Sequence, residues 1–228
     1  MRSNLALILK DLGDLEKAKE LMRKALSSDI KNFGEDHPAT ARRRSNLAII
    51  LQDLGELNEA KELMKKALSS DINNLGEDHP STARSRSNLA MILHSLGELN
   101  EAKELMKKAL SSVVKNFGED HPSTAISRSN LALILQDLGE LNEAKELMKK
   151  ALDSDIKNFG EDHPSTAIRR SNLALILKDF GELNEAKEQS EKAYLYYKKK
   201  FGDEHPTTKI IKGNLEVILR DIEQKKKK

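Results

Sequence analysis

Apolar residues recur every three or four positions along this chain, in stretches that are separated by glycines and by His-Pro pairs. One stretch begins at Pro38, and proline suits the first position of a helix because its missing N–H would have no partner there. This stretch predicts an amphipathic helix A with a stripe formed by Thr40, Arg44, Leu47, Ala48, Leu51 and Leu54. After Gly55, helix B is expected to bury Leu57, Ala60, Met64, Ala67, Leu68, Ile72 and Leu75. The pattern therefore predicts an antiparallel pair of helices.

The helix pair is repeated along the whole chain at a constant step of 42 residues. The asparagines that keep this step are Asn4, Asn46, Asn88, Asn130, Asn172 and Asn214. A lone pair of helices cannot cover its own apolar stripe, so neighbouring pairs must stack, as they do in solenoids. We predict a single all-α solenoid over 1–228 with about 11 helices. It would consist of five helix A/B units at 1–37, 38–79, 80–121, 122–163 and 164–205, a capping helix at 206–224 and a Lys-rich tail at 225–228.

The alternation of small and large residues resembles the tetratricopeptide pattern. The residues that carry this resemblance are Asn46, Leu47, Ala48, Leu51, Gly55, Ala60 and Ala67. The usual period of that family is about 34 residues, and the longer unit with Gly-Glu-Asp-His-Pro between repeats is similar to kinesin light chains and nephrocystin-type proteins. Arg44 and Leu51 depart from the family, which often has Trp and Tyr at these positions. The resemblance implies a right-handed superhelical solenoid whose A helices line a concave surface, and a non-catalytic role in binding proteins.

The candidate binding face is the side of helix A that lies opposite the buried stripe. On a helical wheel, Arg42, Asn46, Ile49 and Asp53 fall together there. A side-chain amide offers both a donor and an acceptor, which matches the backbone of an extended peptide. The resemblance implies this use for Asn46, Asn88, Asn130 and Asn172. The alternative is that each Asn bonds to the neighbouring repeat and stabilises the stacking.

Most differences between the units also fall on this face. The position of Arg42 is occupied by Arg84, Ile126, Ile168 and Ile210 in later units, and that of Gln52 by Lys10, His94, Gln136 and Lys178. The face would be basic toward its N-terminal end and apolar toward its C-terminal end, which suits a ligand with acidic residues followed by an apolar anchor. The predicted peptide-binding residues are Asn46, Asn88, Asn130, Asn172, Arg42, Arg84, Gln52, His94 and Gln136.

Two other ladders of polar residues follow the same step. The first consists of Arg2, Arg44, Arg86, Arg128, Arg170 and Lys212, whose stems we expect to pack while their charged ends reach acidic groups or carbonyls. Anion binding is the alternative for this ladder. The second consists of the His residues that precede Pro. Zinc needs three or four ligands at about 2.0–2.3 Å, and one His per repeat cannot provide them, so these residues are expected to cap helices and pack the loops. No sequence motif indicates a cofactor or a catalytic site.

Composition narrows the remaining functions. The net charge is +2, from 39 basic and 37 acidic residues that are interspersed, whereas a nucleic-acid-binding surface usually concentrates basic residues. Tyr194, Tyr196 and Tyr197, followed by three Lys, indicate either an adapted terminal repeat or a nucleic-acid contact. The absence of Cys favours an intracellular location, and no apolar run approaches the roughly 20 residues of a membrane span.

Two alternatives to a peptide-binding scaffold remain. One is a structural solenoid that associates end to end, because the first helix is expected to expose Leu5, Ile8, Leu9 and Leu12. The other is an RNA-binding helical repeat. Met1 falls in the middle of a predicted helix A, as expected for a fragment or for a short first helix.

Overall fold

In the computed structural model, residues 2–226 are described, and the regular elements in that range are eleven helices. The A helices are α1 (Arg2–Asp11), α3 (Pro38–Asp53), α5 (Pro80–Ser95), α7 (Pro122–Asp137), α9 (Pro164–Phe180) and α11 (Pro206–Lys226). The B helices are α2 (Leu15–Phe33), α4 (Leu57–Leu75), α6 (Leu99–Phe117), α8 (Leu141–Phe159) and α10 (Leu183–Phe201). The predicted class, an all-α stack of antiparallel helix pairs, is confirmed.

Local chemistry determines where each A helix begins. The imidazole Nδ1 of His37 accepts a hydrogen bond from the N–H of Ala39 at 3.1 Å, so His37 caps α3, and Pro38 follows as its first residue. The ring of His37 also stacks on Phe33 with 4.9 Å between the ring centroids. The same cap is present at His79, His121, His163 and His205. The prediction that these histidines cap helices and pack the loops is confirmed.

The turn from helix A to helix B depends on a glycine. Gly55 has a φ of 77°, in the left-handed region that side chains with a Cβ rarely adopt. This conformation lets the N–H of Glu56 donate to the carbonyl of Leu51 at 2.8 Å, which satisfies a carbonyl at the end of α3. The chain can therefore reverse within three residues and start helix B.

The core lies between helices of the same pair and of successive pairs. Ala48 in α3 and Ala60 in α4 are completely buried, as expected of small residues that let the two helices approach. Ile50 is also completely buried although it lies outside the predicted stripe, because α3 packs against α2 on one side and α4 on the other. Leu75, which was expected to be buried, is 38% exposed because it is the last residue of α4 and lies at the edge of the pair.

Charged side chains join successive helix pairs outside the core. In each case a lysine of helix B contacts the glutamate that precedes the next helix B. Examples are Lys19 with Glu56 at 2.7 Å, Lys61 with Glu98 at 2.6 Å and Lys145 with Glu182 at 2.9 Å. The lysines are less than one fifth exposed, so solvent screens these pairs less than it screens ordinary surface ion pairs.

The chain divides into two compact units, Met1–Asn116 and Phe117–Lys228. Consecutive helices pack against one another from α1 to α5 in the first unit and from α7 to α11 in the second, and A helices of successive pairs also touch, as α3 and α5 do. The arrangement of all repeats as one solenoid stays a prediction. The last helix continues to Lys226, two residues beyond the expected capping helix, whereas Lys227 and Lys228 of the predicted tail lie outside the described residues. None of the described helices has the length and apolar character needed to cross a membrane.

Candidate peptide-binding face

The four candidate asparagines lie at the same place on α3, α5, α7 and α9. Each precedes a Leu-Ala pair that is buried, as Leu47 and Ala48 are after Asn46, and this burial determines the rotation of the helix. The amides of Asn46, Asn88, Asn130 and Asn172 are consequently half-buried and reach the surface. We call the surface formed by these residues, by Arg42 and by its equivalents the A-helix face.

The amides of the candidate asparagines have no hydrogen-bond partner within residues 2–226. The alternative interpretation requires each Asn to bond to the neighbouring repeat, and no such bond is present in the described part of the chain. A half-buried amide whose donors and acceptor are not used inside the protein can bond to another molecule. This is the chemistry that an extended backbone requires.

Arg42 and Arg84 line one cavity of about 290 Å³ in the first unit, together with Ser45, Ser81 and Asp71. Both arginines are exposed, and neither forms an ion pair with any residue that the structure describes. The Asp71 carboxylate accepts a hydrogen bond from Ser85 at 2.6 Å. Two guanidinium groups beside one carboxylate leave the cavity with a positive charge, which favours an acidic ligand group.

In the second unit, isoleucines occupy the position of Arg42. Ile126 is 51% exposed and Ile210 is 64% exposed, whereas Ile168 is half-buried against a cluster that contains Ala167 and Ile211. The A-helix face of the second unit is thus apolar where that of the first unit is basic.

Gln52 and Gln136 join neighbouring A helices, a role that the sequence analysis does not predict. The amide of Gln52 donates to the Ser95 hydroxyl at 3.3 Å, and that of Gln136 donates to the Asp179 carboxylate at 2.6 Å. His94, the equivalent residue between them, is half-buried and also has an interaction of its own. The sequence does contain a signal for these contacts, since each Gln is followed 43 positions later by a residue that can accept its hydrogen bond.

The arginine ladder has a structural role. The Nη1 atom of Arg44 donates to the Glu35 carbonyl at 2.7 Å, and its Nη2 atom pairs with the Glu35 carboxylate. Arg86 and Arg128 make the equivalent contacts with Glu77 and Glu119. Burial lowers the pKa of each of these three guanidinium groups. Because a buried charge is costly unless it is paired, each group needs polar partners. The expectation of packed stems and paired charged ends is confirmed for Arg44, Arg86, Arg128 and Arg170. It is wrong for Lys212, whose side chain is 53% exposed because it lies on the last helix. The side chain of Arg2 lies outside the described residues.

The tyrosines of α10 fit the end of the second unit. Tyr197 is buried in a cluster with Ala193 and Ile211 of α11, and burial raises the pKa of its hydroxyl. Tyr194 donates to the Asp203 carboxylate at 2.9 Å. These contacts agree with a terminal repeat adapted to its last helix. In the part of the chain that the structure describes, no three His, Asp or Glu side chains come together in a way that could hold a metal ion.

These features define a helical-repeat protein made of stacked antiparallel helix pairs, with an asparagine at the same surface position on α3, α5, α7 and α9. The tetratricopeptide repeat family model matches residues 1–73, 44–113, 82–157 and 123–199, so the chain belongs to the tetratricopeptide repeat family. Proteins of this family generally mediate protein–protein interactions. The predicted resemblance is confirmed, and no curated protein matches the sequence.

Several solved structures share this fold. One is a structure of the TPR-like repeats, nearly identical to each other, of a kinesin light chain-like protein from Podosopora anserina. Its sequence is 27% identical to that of this chain, and the TM-score is 0.74 over 88% of this chain and 95% of that chain. BtubC (BKLC) from P. vanneervenii is 21% identical, with a TM-score of 0.70 over 92% of this chain and 82% of that chain. The apo form of RapI is 18% identical, with a TM-score of 0.72 over 87% of this chain and 69% of that chain. The last two show similarity of fold alone.

Proposed function

We propose that the chain is a non-catalytic binding protein that holds extended protein segments against the A-helix face of each unit. In the first unit the backbone contacts come from Asn46 and Asn88, and in the second from Asn130 and Asn172. The observation that carries this proposal is that these amides reach the surface and have no hydrogen-bond partner within the described residues.

The spacing of the asparagines suits an extended ligand. A helices of successive pairs touch each other, α3 with α5 and α7 with α9. Packed helix axes lie about 8–10 Å apart, and an extended chain rises about 3.3 Å per residue. One Asn per repeat would therefore meet about every third residue of a bound segment.

The two units would prefer different ligand side chains. The cavity between Arg42 and Arg84 suits a carboxylate, because two guanidinium groups that lack ion pairs within the described residues can bind it. Exposed Ile126 and Ile210 of the second unit suit an apolar side chain. The preferred ligands are therefore acidic for the first unit and apolar for the second.

Replacing Asn46 and Asn88 with Ala is expected to weaken the binding of an acidic peptide selected from an array by roughly ten- to hundredfold. Each amide–backbone bond contributes about 0.5–1.5 kcal/mol. Isothermal titration calorimetry measures the loss, and the control is Asn58→Ala with Asn100→Ala, two exposed asparagines of the B helices. If both double variants bind as tightly as the unmodified protein, the proposed backbone contacts do not exist.

Replacing Arg42 and Arg84 with Glu is expected to abolish binding of the same acidic peptide, because the cavity charge is reversed. Binding to the unmodified protein should also weaken as salt is added, since exposed charges are screened. The control variant is Lys65→Glu with Lys66→Glu, which makes the same charge change on the exposed surface of α4. Equal losses in the two variants would contradict a specific role for the arginine cavity.

Self-association through α1 is the second candidate function. Leu5 and Ile8 of α1 are 49% and 55% exposed, and Leu12, in the turn directly after this helix, is 76% exposed, so the three form an apolar surface at this end of the first unit. Sedimentation velocity is expected to give a mass that rises with concentration, and Ile8→Lys with Leu12→Lys is expected to abolish this rise. A monomer mass at every concentration would exclude this candidate.

A further inference from the structure

The loop before α9 has lost contacts that hold the same loop in earlier repeats. There, an arginine donates to the carbonyl of the loop glutamate, as Arg128 does to Glu119 at 2.8 Å. An asparagine of the following helix B donates to the carbonyl of the loop aspartate, as Asn158 does to Asp120 at 2.6 Å. A serine reinforces this bond, since Ser154 donates to the same Asp120 carbonyl at 3.0 Å.

Both sets of contacts are replaced in the last helix pair. Tyr196 and Lys200 occupy the positions of the serine and asparagine, and Lys200 donates to the Tyr196 hydroxyl at 3.0 Å. Arg170 donates from Nη1 to the side chain of Gln189 at 2.7 Å instead of to the Glu161 carbonyl. Within residues 2–226, no side chain donates to the carbonyls of Glu161 and Asp162.

The loop itself has a different conformation, because φ is −126° at His163 but −72° at His121. A cavity of about 600 Å³ lies between this loop and α10; we call it the α10 cavity. The equivalent cavity of the preceding repeat measures about 360 Å³. The larger cavity has the size of small-molecule sites, which span about 300–1,000 Å³.

The lining of the α10 cavity is also different in chemistry. Asp153 and Ser154 line the smaller cavity, whereas Leu195 and Tyr196 occupy their positions in the larger one. Leu195 is 61% exposed. The α10 cavity therefore has an apolar and aromatic wall that the preceding repeat lacks.

The charges of the α10 cavity are only partly neutralised. In the preceding repeat, Lys157 pairs with Asp120. The equivalent Lys199 has no ion-pair partner among residues 2–226, and Lys200 donates to a neutral hydroxyl. Asp162 belongs to the same lining. Among the lining residues described, the charges outside ion pairs are therefore the positive charges of Lys199 and Lys200 and the negative charge of Asp162. The cavity is therefore complementary to a single negative charge.

We propose that the α10 cavity binds a small amphiphilic monoanion, with an apolar group against Leu195 and Tyr196 and its acid group at Lys199 and Lys200. An N–H of the ligand would donate to the free Asp162 carbonyl, in place of the missing asparagine. N-acylated amino acids combine these three features. The site is separate from the A-helix face, because Arg170 in its lining and Asn172 on that face lie about 200° apart around α9.

Anilinonaphthalene sulfonate, a fluorescent monoanion with two aromatic groups and an N–H, serves as the probe. The unmodified protein is expected to bind it saturably at one site. N-acetylphenylalanine is expected to displace the probe, whereas N-acetylphenylalaninamide, which lacks the negative charge, is expected not to. Absence of saturable binding, or equal displacement by the two competitors, would overturn the proposal.

The matched variant carries Leu195→Asp, Tyr196→Ser and Lys200→Asn, which introduces the residues of the preceding repeat at the same positions. These residues already occur in an equivalent helix pair, so the variant is expected to fold, as thermal unfolding can verify. Its affinity for the probe is expected to fall by roughly tenfold or more, because it loses the apolar wall and one cation. The single variant Lys199→Gln is expected to weaken probe binding severalfold without a change in the core. Unchanged affinity in both variants would locate the probe elsewhere and refute the site.

Discussion

Replacing Arg169 with Ala is expected to lower the free energy of unfolding by about 3–5 kcal/mol, because it leaves a buried carboxylate without its counter-charge. The Nε atom of Arg169 in α9 lies 3.1 Å from the Asp155 carboxylate of α8, an ion pair rather than a well-aligned hydrogen bond. The two side chains are only 11% and 2% exposed. Chemical denaturation with urea measures the loss.

The sequence contains a control for this substitution. At the corresponding positions between α4 and α5, Ser85 donates to the Asp71 carboxylate at 2.6 Å. Arg169→Ser retains a donor for Asp155, so it is expected to destabilise the protein less than Arg169→Ala. Equal losses in the two variants would show that a hydroxyl donor cannot replace Arg169 and that Asp155 needs its positive charge, whereas no loss in either variant would show that Asp155 does not need a polar partner.

The loss in Arg169→Ala should also depend on pH. Burial raises the pKa of Asp155, while Arg169 and then His163 lower it. Without Arg169 the pKa rises further, so the folded variant binds a proton more tightly than its unfolded chain, and its stability falls as the pH rises through that range. The deficit relative to the unmodified protein is therefore expected to be largest at neutral pH and to shrink as the pH falls toward the ordinary Asp value of 3.8. A deficit that does not change with pH would contradict this assignment.

Replacing Arg128 with Ala is expected to cost about 1.5–3 kcal/mol of unfolding free energy, the range for hydrogen bonds that involve a charged group. The buried guanidinium of Arg128 holds the loop before α7 through the carbonyl and the carboxylate of Glu119. Its loss also removes the packing of the alkyl stem. Thermal unfolding measures the change.

Two further variants show how much of this loss comes from the hydrogen bonds, how much from the packing of the stem, and whether the loss is specific to the buried position. Arg128→Met retains most of the stem but not the donors, so the difference between Met and Ala isolates the packing. Arg42→Ala removes an exposed arginine of the same helix type and is expected to change stability by less than about 0.5 kcal/mol. A similar loss at both positions would refute the loop-holding role of the ladder.

The local sequence accounts for the helices and their ends. The His-Pro pairs and the glycines act through their own backbone, so the limits of helices such as Pro38–Asp53 follow from neighbouring residues alone. The burial of Ile50 cannot be predicted from neighbouring residues. A single apolar stripe accounts for contact with one neighbouring helix, whereas α3 packs against both α2 and α4.

The candidate site was predictable only in part. The repeated step of Asn46 and its equivalents, together with the position opposite the stripe, placed these residues at the surface. The partners of Gln52 and Gln136 were not predictable from a single helix, because each lies on the next A helix, 43 residues further along the chain. The convergence of Arg42 and Arg84 on one cavity likewise depends on how two helices pack.

The sequence by itself determined the helix pair, its step of 42 residues and the family, because these depend on periodicity and on residues that act locally. Only the tertiary structure decided which polar side chains are used within the chain and which remain available. Gln52 and Asn46 have the same functional group and lie six positions apart on one helix, yet only Gln52 reaches a partner on the neighbouring helix. Hydrogen bonding depends on distances of about 3 Å between atoms, and such distances between repeats are established by the packing of the helices.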